Sequence, residues 1–310
     1  MPEALIRSAR RLGRRLQRLR NTALGYAALG GLRAIRKTDP HRMADFAGNV
    51  MRRIGPWLPE HRIGRDNLAA AFPEKSSAEI ETILSGVWEN LGRLGAEFAH
   101  LDRLWDHDPA RPGVGHIEFS QDSVERFIKL RDDGKPALVF AAHLANWEMP
   151  ALPAAAHGLA SAVLYRAPNL GPVADAILGI RSVNMGLMIK TGLDAPLKVA
   201  DALARGLHVG MLVDQYNVQG VDVTFFGRRT KANPMLARLA AHFDCPIHGS
   251  RVVRLPGHRF YAELTEELPP IRDARGRIDI TRTMQAITDV VEVWIREHPE
   301  QWLWVHRRWR

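Results

Sequence analysis

Ala137-Leu-Val-Phe-Ala-Ala-His143-Leu-Ala-Asn-Trp-Glu148 is the stretch from which the fold is read. Its apolar run, residues 137–142, follows the turn signal Asp132-Asp-Gly134 and has the length and punctuation of a buried strand. The run halts at a histidine, with a glutamate five positions on. In open α/β sheets ligands collect outside the carboxyl ends of strands, so His143 stands where a ligand would meet it. Glu148, on the following turn or helix, is placed to curl back and fix the imidazole tautomer, which makes His143 a general base and Glu148 its orienter. The same spacing also suits an ordinary core or capping histidine. Metal binding fits less well, because there is no helical His-x-x-x-His pair and no third ligand cluster nearby.

Downstream the pattern alternates between strand and helix. Residues 161–165 read as a strand ending at Arg166, and 208–213 as a buried strand ending at Asp214-Gln215. Between them lie a helix carrying Val173, Ile177 and Leu178, and another over 197–204. A parallel arrangement brings His143, Arg166 and Asp214 to one rim, where the site is expected. Residues 221–226 suggest a further strand, and 227–231 a basic turn leading through Asn233-Pro234 into a helix. That helix start is either an anion receptor or a basic surface turn. Paired strands follow at 247–253 and 260–264, then a helix with Met284, Ile287, Val290, Val291 and Trp294 on one side. The expected fold class is α/β, with a central mostly parallel or mixed sheet flanked by helices and preceded by an N-terminal helical membrane-associating arm.

The arm is assigned to residues 1–40. Leu5, Ala9, Leu12, Leu16 and Leu19 form one helical stripe, with Arg7, Arg10, Arg11, Arg14, Arg15 and Arg18 around it. Such a helix lies well on an anionic membrane surface, although a solvated helix or a transit peptide has the same composition. The uncharged stretch from Asn21 to Leu32 is shorter than the roughly 20 residues a bilayer span needs, so no transmembrane helix and no secretion are expected. Residues 41–310 are expected to form a single α/β domain whose first part, about 41–135, is helical. Within it Ser76 and Glu79 make a capping-box pattern ahead of a stripe running from Ile80 to Phe98. Asn90, Gly92, Arg93 and Glu97 interrupt that helix and read as surface residues. The net charge of +9 attracts anions without choosing among nucleic acid, anionic lipid and acidic substrate. The single cysteine, Cys245, excludes an internal disulfide and has no visible nucleophilic context. The closing run, with tryptophans alternating with aliphatics from Trp302 to Arg310, suggests a strand; its arginines keep base stacking in play.

Taken together, Asn67-Leu68 to Phe72-Pro73, His143-x4-Glu148, Tyr165-Arg166 with Pro168-Asn169, Asp214-Gln215, Phe225-Phe226-Gly227 and Pro299 to Trp309 resemble the lipid A biosynthesis lauroyl/myristoyl acyltransferases. That family belongs to the broader His-x4-Asp/Glu acyltransferase superfamily, and the likeness runs from about residue 20 to the C-terminus. It implies an enzyme at the cytoplasmic face of the inner membrane. This enzyme would move a fatty acyl group from acyl carrier protein to a hydroxyl of a lipid A precursor, with no metal and no organic cofactor. Its implied partners are the carrier-protein thioester, the lipid A precursor and an anionic membrane surface, with no nucleic acid.

Within the resemblance His143 is the base and Glu148 its partner. Arg166 and Arg181 would hold phosphate or support the oxyanion, and Asp214 would orient them. His306, Arg307 and Arg308 match the terminal motif and would be structural or lipid-contacting. Two departures stand out: the apolar N-terminal segment is short, and Ala167 separates Tyr165-Arg166 from Pro168 where members often read Tyr-Arg-Pro. Two other readings fit the residues: an acyltransferase of another membrane glycolipid or amino-acid lipid, and a non-catalytic membrane-associated module binding RNA or anions.

Overall fold

The computed structural model describes residues 29–310 except 109, 112 and 167–170, with 22 and 25–27 before them. The basic stripe from Leu5 to Leu19 lies outside the described residues, as do Pro168 and Asn169. No described helix is long and apolar enough to cross a membrane.

A seven-stranded sheet forms the frame, in the order β1-β9-β8-β2-β5-β3-β4. Its strands are β1 (Ile117–Phe119), β2 (Leu138–Ala141), β3 (Ser161–Tyr165), β4 (Leu187–Lys190), β5 (His208–Leu212), β8 (Ile247–Arg254) and β9 (Phe260–Glu267). β8, β2, β5, β3 and β4 run parallel, while β9 lies antiparallel to β8 and carries β1 at the edge. The sheet is therefore mixed and mostly parallel, as expected. Helices α5 (Gln121–Asp132), α7 (Gly171–Asn184), α8 (Ala195–Ala204), α9 (Met235–Phe243) and α10 (Ile280–Glu297) flank it, with the short α6 (Leu152–Ala156) between α5 and α7 in the chain.

Alternation along the central strands separates two environments. Leu138, Phe140 and Ala142, with Val209, Met211 and Val213, belong to the main core on one face. The intervening positions, Val139 and Ala141 on β2 and Gly210 and Leu212 on β5, border a cavity on the other. Side chains point to opposite faces with a period of two, so the odd positions of β2 lead directly to His143 and the even positions of β5 to Asp214.

Ahead of the sheet come α1 (Pro40–Ile54), α2 (Pro59–Ala71), α3 (Ser77–Glu97) and the short α4 (Leu101–Leu104). The capping box at α3 is formed, with Ser76 accepting from Glu79 N–H and the Glu79 carboxylate accepting from Ser76 N–H. α1 packs closely on α3, because a Cβ on Gly92 would collide with the Ala47 carbonyl. Asn90 and Glu97, and Gly92 with them, correct the surface reading of this helix, since all three are buried. The amide of Asn90 and the carboxylate of Glu97 satisfy backbone and side-chain groups of the sheet end, which an apolar stripe in the sequence does not disclose.

Two further expectations are corrected. Residues 227–231 are not a basic turn: Arg228–Ala232 forms β7, antiparallel to β6 (Val221–Phe225), and the turn is confined to Phe226-Gly227, both at positive φ. The closing run is not a strand. After a 3-10 turn at Pro299–Gln301 it makes only an isolated bridge between Trp302 and Leu144. Trp302, Trp304 and Arg308 are almost wholly buried, so they offer no stacking platform for bases. The Arg308 guanidinium donates to Thr230 Oγ1 and the Lys231 carbonyl and sits 5.0 Å over the Phe225 ring. Burial pulls its pKa down to about 10, with the Asp214 charge acting in the opposite direction.

Candidate active site

His143 follows β2 on the cavity side. The register Ala141↔Leu212, carried two residues further, puts Asp214 beside it on the neighbouring parallel strand end. Asp214 accepts from the His143 backbone N–H at 2.8 Å and meets His143 Nδ1 at 2.7 Å. Trp302 Nε1–H donates to the same carboxylate at 2.7 Å. Burial of Asp214 opposes ionisation, but the facing imidazole charge and these hydrogen bonds outweigh it, and its pKa is held well below the usual carboxylate range. An ionised carboxylate at Nδ1 fixes the tautomer with the proton on that nitrogen and directs the Nε2 lone pair away from it.

Glu148 does not orient His143, contrary to the sequence reading. Its carboxylate holds Arg181 through two hydrogen bonds, Nε to Oε2 at 2.7 Å and Nη2 to Oε1. The chain turns between the two residues, with Ala145 at φ 47°, and Glu148 immediately precedes the short 3-10 turn Met149–Ala151 without its side chain capping it. That turn sends its side chain towards α7, where Arg181 lies. Asp214 likewise does not orient the arginines; its partners are His143 and Trp302. Arg181 is held further by the rings of Phe98 and Tyr165, at 5.4 and 5.7 Å. His143, Arg166, Glu148 and Arg181 all border the same cavity, with Arg166 exposed.

The turn after β2 is clamped from three sides. Ala145 N–H donates to the Gln301 carbonyl, and Leu303 N–H donates to the His143 carbonyl. Asn90 Nδ2 donates to the Ala145 and Gln301 carbonyls, at 3.1 and 3.2 Å. Asn146 Nδ2 donates to Glu97 at 2.9 Å, and Arg254 pairs with the same carboxylate. Asn67 ties Trp304 and His306 carbonyls to α2, both at 2.8 Å. These satisfied buried groups hold a non-glycine residue in left-handed backbone, a conformation that needs such support. Trp302, Asn90 and Glu97 are the supporting residues missed from sequence.

The cavity measures about 830 Å³, within the usual range for small-molecule sites. Small side chains on the sheet face, among them Ala141, Gly210 and Val163, make the room. It borders β5 along its length, from His208 to the strand end, and at about 3.3 Å per residue His208 and Asp214 stand roughly 20 Å apart. Phe127, Met149 and Leu130 are among the apolar residues of its opposite wall. Among the described residues no group of three or more His, Cys, Asp or Glu side chains is arranged to hold a metal ion. Cys245 is buried away from this site and burial pushes its thiol up to about 11, so it is not a ready thiolate.

The site is thus a carboxylate-backed imidazole bordering a largely apolar cavity on a mostly parallel α/β sheet. The family described as bacterial lipid A biosynthesis acyltransferase matches residues 13–310, and the chain belongs to that family. No match was found among curated proteins. The family places the protein among the acyltransferases of lipid A synthesis.

Proposed function

We propose that the protein transfers a fatty acyl chain from acyl-[acyl carrier protein] to a hydroxyl of a lipid A precursor of the Kdo2-lipid IVA type. The observation that carries this reading is His143, hydrogen-bonded to the Asp214 carboxylate and bordering the largely apolar cavity. The acyl chain lies in the cavity, where each buried methylene contributes about 0.8 kcal/mol, and its carbonyl rests at the His143 end. His143 Nε2 takes the proton of the acceptor hydroxyl as its oxygen attacks the thioester carbonyl. Asp214 stabilises the imidazolium that forms, and His143 then returns the proton to the departing thiolate. Such acid–base help is worth about 10²–10⁴ in rate.

Arg181, fixed by Glu148, supplies a positive charge on the same cavity for a phosphate of the acceptor or for the oxyanion. Arg166 adds a second, exposed cation. The positive balance of the chain suits an acidic carrier protein, a phosphorylated acceptor and an anionic bilayer. Work at the cytoplasmic face of the inner membrane, with residues 1–40 as the attachment, completes the proposal. No metal or organic cofactor takes part in these steps.

The test is to incubate the protein with carrier-protein thioesters of several chain lengths and a tetra-acylated lipid A precursor, then weigh the lipid. The expected product is heavier by one acyl group, and His143→Ala abolishes it. Folded protein that adds no acyl group from any donor would overturn the proposal.

A further inference from the structure

Consecutive residues at the end of β5 reach both nitrogens of one imidazole. Asp214 meets His143 Nδ1 at 2.7 Å, and the side-chain amide nitrogen of Gln215 lies 3.2 Å from His143 Nε2. With the ring proton committed to the carboxylate, Nε2 presents a lone pair, so the Gln215 amide N–H donates to it. Gln215 is exposed and borders the cavity, in contrast to the buried Asp214. The nitrogen it covers is the one an acceptor hydroxyl has to reach.

We propose that Gln215 is a catalytic residue of the acyl transfer, an inference that rests on the function proposed above. Before the acceptor binds, its amide holds the hydroxyl's position at Nε2. When the acceptor enters, the amide yields that position and turns its N–H to the carbonyl oxygen under attack. The hydroxyl oxygen then bonds to the acyl carbon, its proton moves to Nε2, and the carbonyl electron pair moves to the oxygen that Gln215 now faces. Collapse restores the carbonyl, breaks the carbon–sulfur bond and sends the proton from Nε2 to the thiolate. Gln215 gains and loses no atoms; its contribution is a hydrogen bond that strengthens as negative charge develops.

Arg181 is less free to make this contact, because Glu148 engages its guanidinium at two nitrogens and two aromatic rings lie against it. A neutral amide also follows the reacting oxygen without adding a charge beside the imidazole. The two arginines are then left to the acceptor's anionic groups.

Gln215→Ala removes the donor, and Gln215→Glu keeps the shape while replacing the donor with a carboxylate. Steady-state transfer with a defined thioester and acceptor should show kcat reduced about 10²–10³-fold in both variants, the usual cost of losing one oxyanion donor, with KM and melting temperature near wild type. Diethyl pyrocarbonate, which reacts at an uncovered imidazole nitrogen, should modify His143 faster in substrate-free Gln215→Ala than in wild type. A kcat for Gln215→Ala within about threefold of wild type, well short of that cost, would overturn the inference, as would a loss confined to KM or one matched by a fall in melting temperature. Transfer within about threefold of the wild-type rate in Gln215→Ala, with none in His143→Ala, defeats this inference alone. Absence of transfer by the wild-type protein with every donor defeats the underlying proposal and this inference with it.

Discussion

Four side chains form two pairs at the site, and the pairing separates their roles. Asp214 serves His143, and Glu148 serves Arg181. Glu148 and Arg181 are largely buried, so removing one partner strands the other's charge in a poorly solvated place. Glu148→Ala is therefore expected to lower stability by roughly 3 kcal/mol, read as a shift in the denaturation midpoint, while Arg166→Ala at the exposed rim changes it by under about 0.5 kcal/mol. Equal midpoints for the two variants would count against the pairing. His143 was legible because a buried run stops at it. Its true partner was less so: Glu148 is near in sequence, whereas Asp214 becomes a neighbour only once β2 and β5 are set side by side in register. Strand parity was available in the letters, since His143 continues the positions of Val139 and Ala141, and Asp214 those of Gly210 and Leu212.

Among the elements, α1 meets the sheet through three imidazoles from separate segments. The His41 ring, at its first turn, lies tilted with its centroid 4.5 Å from that of His116, ahead of β1, and 4.7 Å from that of His258 in the β8–β9 turn. Asp106 pairs with His116 and Asp45 with His258. Burial lowers the pKa of His41 below its ordinary 6.5, and the charges of His116 and His258 lower it further; Asp39 and Glu97 oppose them. A folded pKa below the unfolded one means that the unfolded chain binds the proton more readily. The stability from neutral His41 is therefore full above about pH 6.5 and is lost as pH falls below that value and through the lowered folded pKa. Thermal melts should show a drop in Tm from about pH 7.5 to 5.5 that is smaller in His41→Asn than in wild type; an equal drop in both would contradict this. β2, β3, β5, β6, β8, β9 and the α3 capping box could be read from periodicity and turn residues, whereas the short edge strands β1 and β4 and the polar β7 could not. The buried roles of Asn90 and Glu97 could not, because their partners, Gln301, Asn146 and Arg254, are remote in the chain.

On the scale of the whole molecule, one sheet carries a packed core on one face and a cavity on the other, and Gly210 marks the division. A Cβ built there meets no atom within 4 Å, although the residue sits in a central strand. Gly210→Leu should accordingly fold and keep the His143–Asp214 pair, but fill the cavity part-way down. Competition between donors of different length is expected to shift towards shorter chains in this variant; an unchanged preference would place the acyl group elsewhere. The C-terminal run completes the arrangement, because Trp302 hydrogen bonds to Asp214 while its neighbours hold the turn that presents His143. The sequence marked that run as unusual, but its alternation imitated a strand and hid a buried clamp. All of this converges on an imidazole oriented by a buried carboxylate. The most direct test is kcat for acyl transfer by Asp214→Asn at saturating donor and acceptor. The account predicts a fall of about 10²–10⁴-fold with the fold intact, and a rate within about threefold of wild type would contradict it.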